Sequence, residues 1–306
     1  KNIERKKIFG SLARRTLGDV YAKVDSAKNG IELAYDSYLR GKPGWGHEKK
    51  AGKQTVYVVD KPAVDGYDVK TTLNVEIQDI AEKAVLDMLH LQNTRPRGNA
   101  RTGVAIVMEV ATGDVKAMVN MSRADDGNYY ELKNNALTDI LEPGSTFKTA
   151  SLLVALNDKK ISFNDSIDAH KGLYKFGTTP MKDHNAGKPG AYGMLSVPQV
   201  LMYSSNVGTA RLINENYKDN PEKFVEGLHR MGLATHFPLL PGTGRPVIRK
   251  PNANKSNWSV TALPWMSIGY ETQIAPINIV SFYNAIANNG KFMKPRLVSA
   301  ILDGDR

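Results

Sequence analysis

Residues 142–148 of the 306-residue sequence read Glu-Pro-Gly-Ser-Thr-Phe-Lys and mark the start of a helix. Proline and glycine interrupt a helix, whereas the run that follows, residues 149–156, is apolar on almost every side. A helix without a polar face packs inside a protein. We therefore predict a buried helix over residues 145–156, with Ser145 in its first turn.

Ser145 and Lys148 stand one helical turn apart, so a helix places both side chains on one face. A serine hydroxyl needs a neighbouring base, and lysine is such a base only when burial lowers its pKa. Most chance Ser-x-x-Lys matches are a capping serine and a solvated lysine, but an apolar helix argues against that alternative. We predict that Ser145 is a nucleophile and Lys148 its base, with the helix N-terminus favouring negative charge on the attacked group.

A second candidate element is the run Tyr-Ser-Ser-Asn-Val-Gly at residues 203–208. The Ser204 hydroxyl and the Asn206 amide are suited to relaying protons and holding a substrate amide. Taken alone, Ser204 is equally well interpreted as an ordinary loop serine. Residues 162–164, Ser-Phe-Asn, share the pattern but follow the nucleophile helix too soon, and we interpret them as a helix-end turn.

The remaining pattern mixes helices and strands. Apolar residues repeat at helical spacing after Asn74, which is placed to cap a helix. Residues 103–110 and 115–121 predict two strands of a β-hairpin, and residues 276–289 predict another helix, with Gly290 just past its end. This order indicates a layered α/β domain.

The first part of the chain differs in character. Residues 41–53 are polar and rich in glycine and lysine, and we interpret them as an exposed loop. A second break at residues 62–68 predicts a domain boundary near residue 67.

The composition, with 41% hydrophobic and 24% charged residues, is that of a folded globular protein. The absence of cysteine excludes thiol nucleophiles, disulfides and zinc sites with sulfur ligands. The six histidines lack a metal-binding helical spacing, so we expect neither a metal nor another cofactor. The net charge of +10 comes from scattered basic residues, so we expect no nucleic-acid partner. We interpret His184 and Asp183 as a surface pair and Glu142 as a structural residue.

Residues 142–148 together with Ser-Ser-Asn at 204–206 resemble the first two of the three motifs of the penicillin-binding transpeptidases. Other segments resemble the class B proteins of that family. Residues 30–41 resemble the pedestal of these proteins, and residues 72–78 resemble the entry to their transpeptidase domain. Residues 267–276 and 287–290 resemble a later block of the same proteins. The Ser-Ser-Asn-Val-Gly run is more similar to the division type than to the elongation type.

The resemblance implies a penicillin-binding transpeptidase or serine β-lactamase-like α/β fold, with an antiparallel sheet flanked by helices and an all-helical lobe. Residues 1–66 are then the end of a non-catalytic pedestal domain. Residues 67–306 are a transpeptidase domain that lacks the strand of the third motif.

The resemblance also implies a reaction, the cross-linking of peptidoglycan. Ser145 attacks the carbonyl between the two terminal D-alanines of a stem peptide, Lys148 accepts its proton, and an amine of a neighbouring stem then attacks the acyl-enzyme. Ser204 relays protons, Asn206 holds the substrate amide, and the Ser145 backbone amide is one oxyanion donor. β-Lactams acylate Ser145 as substrate mimics.

For the setting, the resemblance implies septal cell-wall synthesis at the periplasmic face of the bacterial inner membrane, with a membrane helix expected upstream of residue 1. The implied partners are stem peptides, β-lactams, a cell-wall glycosyltransferase and proteins of the division complex.

The third motif, Lys-Thr-Gly or a close variant, is missing from the 306 residues. Residues 101–103, Arg-Thr-Gly, precede the nucleophile, and residues 242–244, Gly-Thr-Gly, lack the cation. We therefore expect weak or no transpeptidation from these residues by themselves.

Two alternatives stay open. A serine β-lactamase-like hydrolase or a D,D-carboxypeptidase shares the serine–lysine pair, but a β-lactamase needs a device for deacylation such as a Glu-x-x-Leu-Asn loop after the second motif, which we do not find. A non-catalytic β-lactam-binding envelope scaffold belongs to another class, and the absence of serine-dependent labelling by a fluorescent penicillin would favour it.

Overall fold

The computed structural model describes Lys6 and residues 8–20, 26–252 and 257–304. The predicted pedestal segment, residues 1–66, therefore includes positions outside the described residues, namely 1–5, 7 and 21–25. Its boundary at residue 67 stays a prediction.

The elements of the described residues alternate between helices and strands. The helices are α1 Arg14–Leu17, α2 Gly30–Ala34, α3 Asp36–Leu39, α4 Val75–Thr94, α5 Asn135–Thr138, α6 Lys148–Asn157, α7 Val197–Met202, α8 Asn206–Tyr217, α9 Pro221–Arg230, α10 Ala262–Ser267 and α11 Pro276–Ala287. The strands are β1 Trp45–Ala51, β2 Gln54–Lys61, β3 Asp68–Thr71, β4 Thr102–Met108, β5 Val115–Arg123, β6 Tyr129–Tyr130, β7 Ser166–Asp168, β8 Leu173–Phe176, β9 Thr179–Lys182, β10 Met194–Ser196, β11 Val247–Ile248, β12 Thr272–Gln273 and β13 Val298–Leu302.

The chain forms two compact units. The first comprises Lys1–Thr138, Phe237–Thr243 and Met293–Arg306, and the second comprises Asp139–His236 and Gly244–Phe292. Among the described residues, no helix combines the length and apolarity needed to cross a bilayer.

The first unit contains an antiparallel sheet in the order β4-β5-β6, and β3 pairs with β13. The chain just before β13 joins the start of β5, since the Val115 amide donates to the Arg296 carbonyl oxygen at 3.0 Å. The predicted hairpin is confirmed, because β4 and β5 pair antiparallel. The predicted cap of α4 is confirmed as well, since the Asn74 side chain accepts a hydrogen bond from the Ile77 amide at 3.0 Å. Leu89 of α4 packs with Val119 and Met121 of β5 in a small buried core.

The interpretation of residues 41–53 as a loop is wrong. They contain β1, which pairs with β2 through a two-residue turn at Gly52 and Lys53. Gly52 supplies the left-handed backbone, φ 64°, that such a turn needs. Most residues of both strands are exposed, so the sequence lacks the apolar alternation that signals a half-buried strand.

The second unit is rich in helices and has its own core, in which α6, α8 and α9 contribute fully buried side chains such as Val154, Ile213 and Leu228. It also carries short antiparallel pairs, β7 with β10, β8 with β9 and β11 with β12. The helix predicted over residues 276–289 is observed as α11, and Gly290 follows it with φ 83°.

The predicted nucleophile helix is also observed in this unit. Its first turn is a 3₁₀ turn, Gly144–Phe147, and the α-helical part begins at Lys148.

Candidate active site

The structure brings Ser145 and Lys148 together as predicted. Lys148 Nζ donates a hydrogen bond to Ser145 Oγ at 3.1 Å. Ser145 is exposed, whereas Lys148 is only 1% exposed because α6 carries it into the core of the second unit. The pair therefore joins a solvent-accessible hydroxyl to a buried amine.

Ser204 completes the surroundings of the amine. Lys148 Nζ also contacts the Ser204 carbonyl oxygen at 2.6 Å and the Ser204 hydroxyl oxygen at 2.9 Å. Both groups reach the amine because Ser204 follows the end of α7 in a left-handed conformation, φ 52°, which is unusual for serine. A neutral amine has two protons to donate and one lone pair, so it can donate to both Ser204 oxygens and accept the proton of Ser145.

Burial lowers the pKa of the Lys148 amine to about 8, and the negative charge of Asp183 acts in the opposite direction. A group with this pKa has about one tenth of its population unprotonated at pH 7. The neutral form that a general base requires is thus populated under ordinary conditions.

Asn206 is the first residue of α8, and its side-chain Nδ2 donates to the Lys182 carbonyl oxygen at 2.8 Å. This hydrogen bond fixes the plane of the amide. Ser205 caps the same helix by accepting from the Gly208 amide at 2.9 Å. The predicted site residues Ser204 and Asn206 therefore lie at the start of α8, which is fixed by the Ser205 cap and by the hydrogen bond of the Asn206 side chain.

Asp183 was not predicted as a site residue. The interpretation of Asp183 and His184 as a surface pair is wrong for Asp183. Asp183 is 5% exposed, and its carboxylate accepts hydrogen bonds from the Ser205 hydroxyl at 2.8 Å and the Val207 amide at 3.0 Å. The sequence holds one weak signal, because the apolar Met181 stands two positions before Asp183 with Lys182 between them, and strand alternation then places Asp183 on the buried face of Met181. This alternation does not show which segment covers Asp183.

A serine hydroxyl in contact with a buried lysine on the same helix, with a second serine beside the amine, is the arrangement of active-serine acyl-transfer proteins. The chain belongs to the penicillin-binding protein transpeptidase domain family, which it matches over residues 103–306. The predicted family and fold class are thereby confirmed.

Curated relatives carry names from the same family. The chain is 25% identical over 304 residues to a probable peptidoglycan D,D-transpeptidase PenA of Neisseria meningitidis, covering 95% of this chain and 48% of that protein. It is 27% identical over 304 residues to the peptidoglycan D,D-transpeptidase FtsI of Buchnera aphidicola, covering 92% of this chain and 47% of that protein. The chain thus spans about half the length of these relatives.

Solved structures share the fold. Penicillin binding protein 3 of Mycobacterium tuberculosis superimposes with a TM-score of 0.78 at 24% identity, covering 99% of this chain and 62% of that one. The ampicillin complex of the same protein gives a TM-score of 0.76 at 25% identity, covering 97% of this chain and 60% of that one.

Proposed function

We propose that this chain carries the acyl-transfer site of a peptidoglycan D,D-transpeptidase. The observation that carries the proposal is the 3.1 Å contact between Ser145 Oγ and the buried Lys148 amine, whose pKa burial lowers to about 8. The family match and the names of the relatives from Neisseria meningitidis and Buchnera aphidicola support the substrate class.

In the first half of the reaction, Lys148 takes the proton of Ser145 while Ser145 Oγ bonds to the carbonyl carbon between the two terminal D-alanines of a stem peptide. The backbone amide of Ser145 donates to the oxyanion that forms. The carbon–nitrogen bond then breaks, and the proton held by Lys148 passes through the Ser204 hydroxyl to the leaving amine of D-alanine.

In the second half, an amine of a neighbouring stem attacks the acyl carbonyl. Ser204 and Lys148 accept the proton of this amine, and the Ser145 oxygen leaves and regains a proton. Asn206 holds the amide of the bound stem. The product is a new peptide bond between two stems, and the serine is restored.

The setting is proposed from the family. We assign residues 1–66 to the pedestal and residues 67–306 to the transpeptidase domain. The relatives named FtsI support a septal role at the periplasmic face of the bacterial inner membrane. A cell-wall glycosyltransferase and division-complex proteins are the partners that this role implies, and ampicillin bound to a structural neighbour supports β-lactams as ligands.

The test is covalent labelling with a fluorescent penicillin. We expect the wild-type chain to gain one label per molecule in a mass spectrum, and Ser145→Ala and Lys148→Ala to gain none in the same time. Ser162→Ala and Lys160→Ala are matched controls, because both residues are exposed and lie just beyond α6. Labelling of Ser145→Ala would refute the assignment, and rapid release of the label from the wild type would favour the hydrolase alternative.

A further inference from the structure

The chain segment that leads into Ser145 lies alongside residues 269–274. Leu141 and Ile274 exchange two backbone hydrogen bonds, at 2.9 and 3.3 Å. Closer to the nucleophile, the Gly144 amide donates to the Gly269 carbonyl oxygen at 3.1 Å. The backbone before Ser145 is therefore positioned by hydrogen bonds to this neighbouring segment.

The two backbones touch at Gly269. A Cβ atom at this position would overlap the Gly144 carbonyl, and Gly269 has a φ of 89° that other residues rarely adopt. No side chain separates the segments here. A displacement of residues 269–271 would be passed directly to Gly144, the residue before the nucleophile.

Glu271 stands in this segment with a strained backbone. Its φ of 58° is a left-handed conformation that glutamate adopts at a cost of about 1 kcal/mol or more. Two hydrogen bonds fix the position of Glu271. Its amide donates to Glu142 Oε1 at 3.0 Å, and its Oε2 accepts from an Arg249 guanidinium nitrogen at 2.7 Å.

Arg249 reaches Glu271 because β11 and β12 are paired, with Ile248 opposite Thr272. The next position of that register sets Arg249 opposite Glu271. The guanidinium also lies 5.6 Å from the centre of the Trp258 ring. Both side chains of the ion pair are more than a third exposed, at 39% and 35%, so we expect little from the pair for overall stability.

We propose that Glu142, Glu271 and Arg249 are positioning residues that hold the backbone entering Ser145 in the geometry needed for acylation. Arg249 fixes the Glu271 side chain through the ion pair. The strained backbone of Glu271 orients its amide toward Glu142, and the Glu142 carboxylate accepts the hydrogen bond of this amide two residues before Gly144. The proposal rests on the proposed acylation of Ser145 and assigns roles to three residues that are not among the predicted site residues.

The first test compares Glu142→Ala with Glu142→Gln, whose amide oxygen still accepts a hydrogen bond. The acylation rate constant and the dissociation constant of the non-covalent complex are separated by varying the concentration of fluorescent penicillin. We expect Glu142→Ala to lose about fivefold in the rate constant, with the dissociation constant within about twofold, and Glu142→Gln to retain most of the rate. A merely structural role would lower the fraction of chains labelled at the end point and leave the rate constant unchanged.

The second test is a double-mutant cycle. Arg249→Met should slow acylation about threefold when Glu271 is present, and should have almost no effect in a Glu271→Gly background, because glycine adopts the left-handed turn without support. Arg245→Met, an exposed arginine four residues earlier, is the control. Equal effects of Arg249→Met in both backgrounds would overturn the proposal.

Hydrogen exchange of the Glu271 amide gives a readout that does not depend on activity. We expect slow exchange in the wild type and in Glu142→Gln, and fast exchange in Glu142→Ala. Fast exchange in the wild type overturns the positioning contact even if the chain is labelled. If the amide is protected but no label forms, the proposed function fails and the contact stands.

Discussion

The Asp183 carboxylate accepts a hydrogen bond from the Ser205 hydroxyl at 2.8 Å, and Asp183 is almost fully buried. Ser205 lies between Ser204, which contacts the Lys148 amine, and Asn206. The Asp183 carboxylate therefore anchors the loop that surrounds the Lys148 amine. Its negative charge also raises the pKa of this amine, whereas burial lowers it.

Replacement of Asp183 by asparagine is expected to change the pH dependence of acylation. Without the carboxylate charge, the ammonium form of Lys148 loses a stabilising partner, so its pKa falls below its present value of about 8. The neutral base is then populated at lower pH. The acid limb of the labelling rate against pH should move to lower pH, while the exposed control Asp125→Asn leaves it in place.

An acid limb that stays in place or moves to higher pH in Asp183→Asn would contradict this electrostatic link. The variant is also expected to lose about 1–3 kcal/mol of unfolding free energy, because asparagine offers one acceptor oxygen where the carboxylate accepts two hydrogen bonds. Urea unfolding measures that loss independently of labelling.

The sequence predicted the parts of the fold and site whose signals are local. Asn74 caps α4, and the pair Ser145 and Lys148 depends on one helical turn, so neighbouring residues define both. Asp183 was misinterpreted because its partners Ser205 and Val207 are 22 and 24 residues away, and the sequence does not reveal which distant segment covers it. The strand β1 was missed for a different reason, since its residues are mostly polar and exposed, and the apolar run of the hairpin, residues 56–59, lies in its partner β2.

Replacement of Lys148 by methionine is expected to stabilise the fold while abolishing labelling. The pKa of Lys148 in the folded state, about 8, lies below the ordinary 10.5, so burial of the ammonium ion opposes folding. This opposition is fully present below pH 8 and disappears as the pH rises through 10.5. We expect a gain of about 1–3 kcal/mol at pH 7, because methionine buries a similar volume without charge.

The measurement is urea unfolding of wild type and Lys148→Met at pH 7 and pH 9.5. The difference should shrink at the higher pH. Lys160→Met, an exposed position beyond the end of α6, controls for general effects of removing a lysine charge. A variant that is less stable at pH 7, or a difference that does not change with pH, would show that the buried amine is not a destabilising group.

Ser204 allows the role of its hydroxyl to be separated from the strain of its backbone. Ser204→Ala and Ser204→Gly both remove the hydroxyl that contacts Lys148 Nζ at 2.9 Å but keep the carbonyl that contacts it at 2.6 Å. We expect both variants to label about 10- to 100-fold more slowly, since the proton relay is lost. Glycine also relieves the left-handed φ of 52°, so it should be about 1 kcal/mol more stable than alanine. A glycine variant that labels much faster than the alanine variant would mean that loop geometry, and not the hydroxyl, limits acylation.

Gly269 tests the contact between its own backbone and the segment that precedes the nucleophile. Gly269→Ala adds a Cβ that overlaps the Gly144 carbonyl. At Gly187, which has a φ of 75°, an added Cβ would lie in open space. Both substitutions carry the left-handed strain of about 1 kcal/mol, so the difference between them isolates the overlap. We expect Gly187→Ala to lose about 1 kcal/mol and to label at the wild-type rate, and Gly269→Ala to lose at least 2–3 kcal/mol and to label more than tenfold more slowly. Thermal unfolding and the labelling rate measure the two effects. Equal behaviour of the two variants would mean that the backbone before Ser145 moves freely, and that the neighbouring segment does not set the geometry of the nucleophile.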